Sequence, residues 1–163
     1  MRRSAVRAGP KPTPQAPRML IPPYLFFDGR GEEAVRFYSA APGAEIEILV
    51  RFRESPDPPP PGVLPADWGD KLMHGSLKNG ALRLMLSDGC GDDGGRPSGF
   101  ALSLDVVEAE AIDRTLDALA RDGGEITMPA GPTFWCPRFG SARDRFGVQW
   151  MVGLAEAADA PSA

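Results

Sequence analysis

A chain of 163 residues with 42% hydrophobic and 25% charged residues is long enough to bury its own core, and its composition is that of a globular domain. The net charge is −4, but residues 1–18 hold five basic side chains and no acid, leaving 13 basic against 22 acidic side chains in the body. Such a body repels nucleic-acid phosphate, and no apolar run approaches bilayer-spanning length, so neither nucleic acid nor a membrane is an expected partner.

Residues 1–18 also contain four prolines and read as a flexible basic arm, lacking the apolar stretch of a secretory signal. A domain is expected at 19–154 and a flexible tail at 155–163. A first strand is predicted at 21–27, then a helix at 31–40 with Ala34, Phe37 and Tyr38 at helical spacing. Gly43 supplies the turn into a strand at 45–52. The stretch 55–65 has six prolines and is expected to leave the sheet as a stiff excursion. Strands at 71–78 and 81–87 join through Asn79-Gly80, a strong hairpin signal. The Gly- and Asp-rich stretch 88–99 reads as a linker, because its acids repel phosphate and it lacks full calcium-loop spacing. A strand at 100–106, a helix at 108–121 and strands at 125–128, 139–143 and 148–153 complete the chain. Cys90 and Cys136 stand in unrelated contexts and match no metal or redox spacing, as free thiols of a reducing cytoplasm would.

The two halves repeat each other. Glu33-Ala34-Val35 matches Glu110-Ala111-Ile112, and Gly43-Ala44-Glu45-Ile46 matches Gly123-Gly124-Glu125-Ile126. Two βαβββ units therefore follow one another in an α+β fold. In each unit one sheet face is expected beneath helices, while the other lines a central cavity. Alternation puts Leu82, Leu84 and Leu86 on the helix side, with Arg83, Met85 and Ser87 facing the cavity. By the same rule Gln149 and Met151, Ser103, and Glu47, Leu49 and Arg51 face inward. The repeat turns Tyr24 and Phe26 inward, and on the third strand Leu72, His74 and Ser76 are the better inward choice. The resulting mixture of aromatic, thioether and polar groups suits a small, partly apolar ligand with one negative or polar end, Arg51 and Arg83 being the anion partners.

The run Thr133-Phe134-Trp135-Cys136-Pro137-Arg138-Phe139-Gly140, followed by Asp144-Arg145-Phe146-Gly147 and the alternating Val148–Val152, resembles the closing hairpin of the vicinal-oxygen-chelate superfamily. It is most similar to the PhnB-like branch, relatives of glyoxalase and bleomycin-resistance proteins, over residues 19–154. The resemblance implies paired βαβββ units in an eight-stranded curved sheet or barrel, and association as a homodimer. It also implies four metal seats. Here they fall at Pro22 or Pro23, Met85, Gly99 or Phe100, and Met151, none with a suitable donor side chain, so no metal and no cofactor is expected.

His74, the single histidine, lies in Lys71-Leu72-Met73-His74-Gly75, which resembles a motif of the same branch. It is the one catalytic candidate, as a proton donor or anchor, set against a purely structural role. Trp135 is read either as a lid stacking on a planar ligand or as packing at the sheet end. Relatives carry ubiquinone-pathway methyltransferase labels, but no Gly-rich cofactor loop supports one here. The expected function is metal-free binding of a small organic molecule. The alternative is a metal-dependent lyase, isomerase or dioxygenase with an atypical ligand set, such as His74 with Glu47 and a partner-subunit residue. A relative without any ligand is the third possibility.

Overall fold

The alternating apolar residues of the two repeats build two sets of four strands. The computed structural model describes residues 21–80, 82–91 and 97–155. The expected arm at 1–18 and, apart from Ala155, the expected tail lie outside them. The first half holds β1 (Tyr24–Phe26), α1 (Gly31–Ala40), β2 (Glu45–Arg51), β3 (Leu72–Asn79) and β4 (Leu82–Ser87). The second holds β5 (Leu102–Val106), α2 (Ala109–Leu119), β6 (Glu125–Gly131), β7 (Phe139–Arg143) and β8 (Gln149–Leu154). The proline-rich stretch between β2 and β3 contains no strand, only short 3₁₀ turns at Phe52–Glu54 and Trp68–Asp70.

Strand order is the same in both halves: β1-β4-β3-β2 and β5-β8-β7-β6. In each, the first strand runs parallel to the last and the remaining pairs are antiparallel. The strands form two four-stranded sheets that do not close into a barrel, and the expected α+β duplication of paired βαβββ units is present.

Local chemistry explains each helix entry and exit. Glu32 and Glu33 occupy the first turn of α1, where negative charge suits the helix dipole. The Gly31 N–H donates to Asp88 Oδ1 (2.6 Å), while the other oxygen accepts from Leu72 N–H (2.7 Å). One buried carboxylate thereby ties α1 and β3 to the end of β4. The last turn of α2 unwinds through Asp122 (φ 57°) and Gly123 (φ 106°), two left-handed residues that reverse the chain into β6. Gly140 in β7 is required for close packing, since a Cβ there would lie 2.5 Å from Leu116 Cδ1 of α2.

Apolar faces of both sheets share one core with both helices. Leu72, Leu77, Leu84 and Leu86 come from the first sheet, and Leu102, Val148, Trp150 and Val152 from the second half. Tyr38 of α1 joins the halves, with ring centroids 5.6 Å from Trp150 and 5.9 Å from Phe146. Beneath this junction the buried Asp144 accepts four hydrogen bonds. They come from Tyr38 Oη (2.7 Å), Trp150 Nε1 (2.9 Å) and the N–H groups of Phe146 (2.9 Å) and Val148 (3.0 Å).

Candidate functional site

On the first sheet the face turned away from α1 carries Tyr24 and Phe26 from β1, His74 and Ser76 from β3, and Arg83 and Met85 from β4. Strand register places Tyr24 beside Met85, Ser76 on the other side of Met85, and Ile48 beyond Ser76. Tyr24 and Phe26 form a stacked aromatic shelf, with centroids 5.2 Å apart. The Tyr24 hydroxyl and His74 Nδ1 share a hydrogen bond at 2.9 Å, which leaves the outer imidazole nitrogen without a side-chain partner among the described residues. Burial raises the Tyr24 phenol above its ordinary value, against a smaller lowering by the Ser87 hydroxyl. Ser87 itself is buried and serves the backbone, its hydroxyl oxygen accepting from Gly89 N–H (3.0 Å).

Glu47 and Arg83 form the polar end of this face. The Arg83 guanidinium lies 3.0 Å from Glu47 Oε2, and the Ser76 hydroxyl donates to the same oxygen at 3.1 Å. The Arg83 hydrogen bond, then the one from Ser76, holds the Glu47 carboxyl below the usual carboxylate range against partial desolvation.

Three expected inward residues, Leu49, Arg51 and Leu72, are not on this face. Register shifts in β2 fall between Ile46 and Ile48 and between Val50 and Arg51. A bulge sets two residues against one, which breaks simple alternation beyond it. Ile48 and Val50 consequently lie across from Ser76 and His74, and Arg51 across from Leu72. Arg51 turns to the helix side, where it binds Glu32 of α1 at 3.1 Å. Leu72 is also in the core, within contact of the position a Gly75 side chain would take.

The second sheet repeats the arrangement with different chemistry. Ser103 lies beside Met151, and Ser141 on the other side of it. Thr127, at the matching β6 irregularity, shares a hydrogen bond with Ser141 (2.8 Å) and accepts one from Gln149 Nε2 (2.8 Å). Trp135 lies in the β6–β7 connection, edge-on to Phe134 and to Phe139, with centroids 4.6 and 5.8 Å away. Cys136 donates to the Arg138 carbonyl and its backbone to Thr133, which makes it part of this turn.

The two sets do not meet within one chain. Their sheets share a core through the opposite faces, and no side-chain hydrogen bond or ion pair links the sets among the described residues. Phe26 is 50% exposed and Met151 42%. Each set therefore lies on an open face of its own sheet. Alternation could locate the face residues, but not Thr127 and Ser141, whose signal lies in the register of the repeat.

Register also relocates the neighbours of the two methionines. Tyr24 stands beside Met85 and Ser103 beside Met151, in place of Pro22 or Pro23 and Gly99 or Phe100. Two thioethers, a phenol and an aliphatic hydroxyl are a poor donor set for the hard or borderline divalent ions that prefer carboxylate and imidazole. No cluster of three His, Cys, Asp or Glu residues stands elsewhere among the described residues. The side chains present do not fit the divalent metal of this architecture.

Residues 20–152 match the family described as the Glyoxalase/Bleomycin resistance protein/Dioxygenase superfamily. The chain belongs to this superfamily. It is 32% identical over 145 residues to Protein YjdN of Escherichia coli K12, covering 85% of this chain and 97% of that protein. Among solved structures, protein PA1353 from Pseudomonas aeruginosa is 40% identical, with a TM-score of 0.72 over 84% of this chain and 98% of its own. The PhnB protein from Bacillus cereus, which carries a 3-demethylubiquinone-9 3-methyltransferase label, is 27% identical, with a TM-score of 0.68 over 84% of this chain and all of its own. All three are matched over nearly their full length, in keeping with the expected glyoxalase-type fold. Among the described residues no helix is long and apolar enough to cross a membrane.

Proposed function

We propose that this superfamily member binds a small organic molecule on its open sheet faces without a metal, in a cavity closed when a second copy covers them. The observation that carries the reading is the first-sheet face. It joins exposed aromatic rings, a Tyr24–His74 hydrogen bond and a Glu47–Arg83 pair around a methionine at an expected metal seat. Apolar shelves with a few convergent polar groups are how proteins hold small molecules. Free Cys90 and Cys136 fit a cytoplasmic setting.

The methyltransferase label of the Bacillus cereus relative has no support in the α1 entry, because the Asp88 carboxylate already occupies the N–H of Gly31. A carboxylate in that position opposes an anionic cofactor group. The atypical metal set is likewise disfavoured, because His74 and Glu47 belong to no cluster of three His, Cys, Asp or Glu residues among the described residues.

Elemental analysis of protein purified without chelators tests the reading. Zinc, nickel, iron and manganese are expected well below one per chain, and added metal is expected to leave the thermal midpoint unchanged. One tightly held ion per chain, released on His74→Ala or Glu47→Gln substitution, would overturn it.

A further inference from the structure

The two open faces match rung for rung, and the matching rungs have diverged in charge. Ser76 and Met85 in the first sheet correspond to Ser141 and Met151 in the second, each pair directly opposed across its strands. One same-face step along the central strand stands Arg83 in the first sheet and Gln149 in the second. At the edge-strand irregularity stands Glu47 in the first and Thr127 in the second. Each trio is internally bonded through its edge-strand residue: Glu47 accepts from Ser76 and Arg83, and Thr127 bonds Ser141 and accepts from Gln149.

The first trio is a balanced pair, not a positive or negative patch. Glu47 takes both Nε and Nη2 of Arg83, which leaves the second amino group of the guanidinium without a side-chain partner among the described residues. Lys78, opposite Arg83, has Glu45 opposite it on the other side, so the surrounding charge also cancels. A balanced pair does not favour a free anion or a free cation, since each meets one attractive and one repulsive neighbour. It does present an acceptor and a donor side by side. Tyr24 of the aromatic shelf stands one strand across and one same-face step along from Arg83, about 8 Å between backbones, while Glu47 reaches Arg83 from the opposite edge strand. His74, bonded to Tyr24 through Nδ1, adds another group able to donate or accept.

We propose that the molecule held by this face is a planar aromatic carboxamide, or a lactam of the same donor–acceptor pattern, with its ring against Tyr24 and its amide laid against the outer edge of the Glu47–Arg83 pair. The proposal rests on the small-molecule reading above and narrows it to an uncharged polar end. The second face, with its neutral Thr127–Ser141–Gln149 trio, has no such pair and takes the uncharged remainder of the ligand when a second copy closes over it.

Three probes of nearly equal shape separate the possibilities: naphthamide, naphthoate and naphthylmethylammonium, titrated into the full chain at neutral pH and followed by backbone amide NMR shifts. Naphthamide is expected to bind about tenfold more tightly than either ion and to move the signals of Tyr24, Phe26 and Arg83. Glu47→Gln leaves Arg83 unbalanced and shifts the preference toward naphthoate. Arg83→Gln leaves Glu47 unbalanced and shifts it toward the ammonium. Thermal melts of both variants check that the fold is kept. An ion preferred by the unmodified chain, or two variants that shift in the same direction or not at all, overturns the carboxamide assignment alone. Failure of all three probes to move either open face overturns the small-molecule reading together with it.

Discussion

At the scale of single residues, Asp144 carries more of the fold than any residue in the candidate site. The Asp-x-x-Gly turn was legible in the sequence as a motif, but its work was not, because the partners Tyr38 and Trp150 are distant along the chain or on another element. Replacing Asp144 by Ala leaves four buried donors without an acceptor, and a cost of about 3–5 kcal/mol is expected in urea unfolding. Tyr38→Phe removes only one bond and should cost about 1 kcal/mol at neutral pH. The same pair has a pH signature. Burial, then the negative charge of Asp144, raises the Tyr38 phenol well above its ordinary value. The native state therefore keeps its proton after the unfolded chain has lost it. Stability from this group is complete below about pH 10 and falls as pH climbs through the raised folded value. Unfolding free energies measured from neutral to strongly alkaline pH should converge for the native chain and Tyr38→Phe. Parallel curves would remove Tyr38 as the source of alkaline sensitivity.

At the scale of elements, hydrophobic period and glycine placement were sufficient for eight strands, two helices and the Asn79-Gly80 hairpin. Reading failed where the period is interrupted. In β2, apolar Ile46, Ile48 and Val50 suggested one helix-facing set, but bulges carry no dependable residue-type mark and turned Arg51 and Leu49 to that side instead. The start of β3 failed for a related reason, since Leu72 follows the N–H tie to Asp88 into the core. Where α2 lies on β7 the geometry makes a measurable claim about Gly140. A Cβ added there would meet Leu116 Cδ1 at 2.5 Å and the Met128 carbonyl at 3.0 Å. Gly140→Ala is therefore expected to cost about 1–3 kcal/mol through overpacking, and Leu116→Ala about 2–5 kcal/mol through a cavity. Combined, they should cost less than their sum, because the smaller side chain makes room for the new methyl. Strict additivity in chemical denaturation would place the clash on the Met128 backbone.

At the scale of the whole molecule, the repeat fixes what each half is but not how the halves face each other. Their relation depends on Tyr38 meeting Trp150 and Phe146, contacts between elements that no local period encodes. Those contacts turn the helix-side faces together and the open faces outward. The outward faces carry exposed apolar groups, Phe26, Ile48, Met128 and Met151, with Phe134 97% and Trp135 58% exposed near the second sheet. Contiguous exposed apolar surface marks an interaction site, and two-fold pairing of identical chains is the commonest way to cover one. In the proposed homodimer the aromatic shelf of one protomer would then lie beneath the second face of its partner. Phe26→Glu and Met151→Glu separate interface from fold. Both positions are already half-open, so each substitution should change unfolding free energy by no more than about 0.5 kcal/mol. Each nevertheless places a charge in a covered apolar interface, where an unpaired charge is costly. Sedimentation equilibrium should show the native chain at twice its monomer mass and the double variant as a folded monomer, with its probe binding lost. A native chain that sediments as a monomer, or a double variant that remains paired, would mean that these faces are not joined to one another.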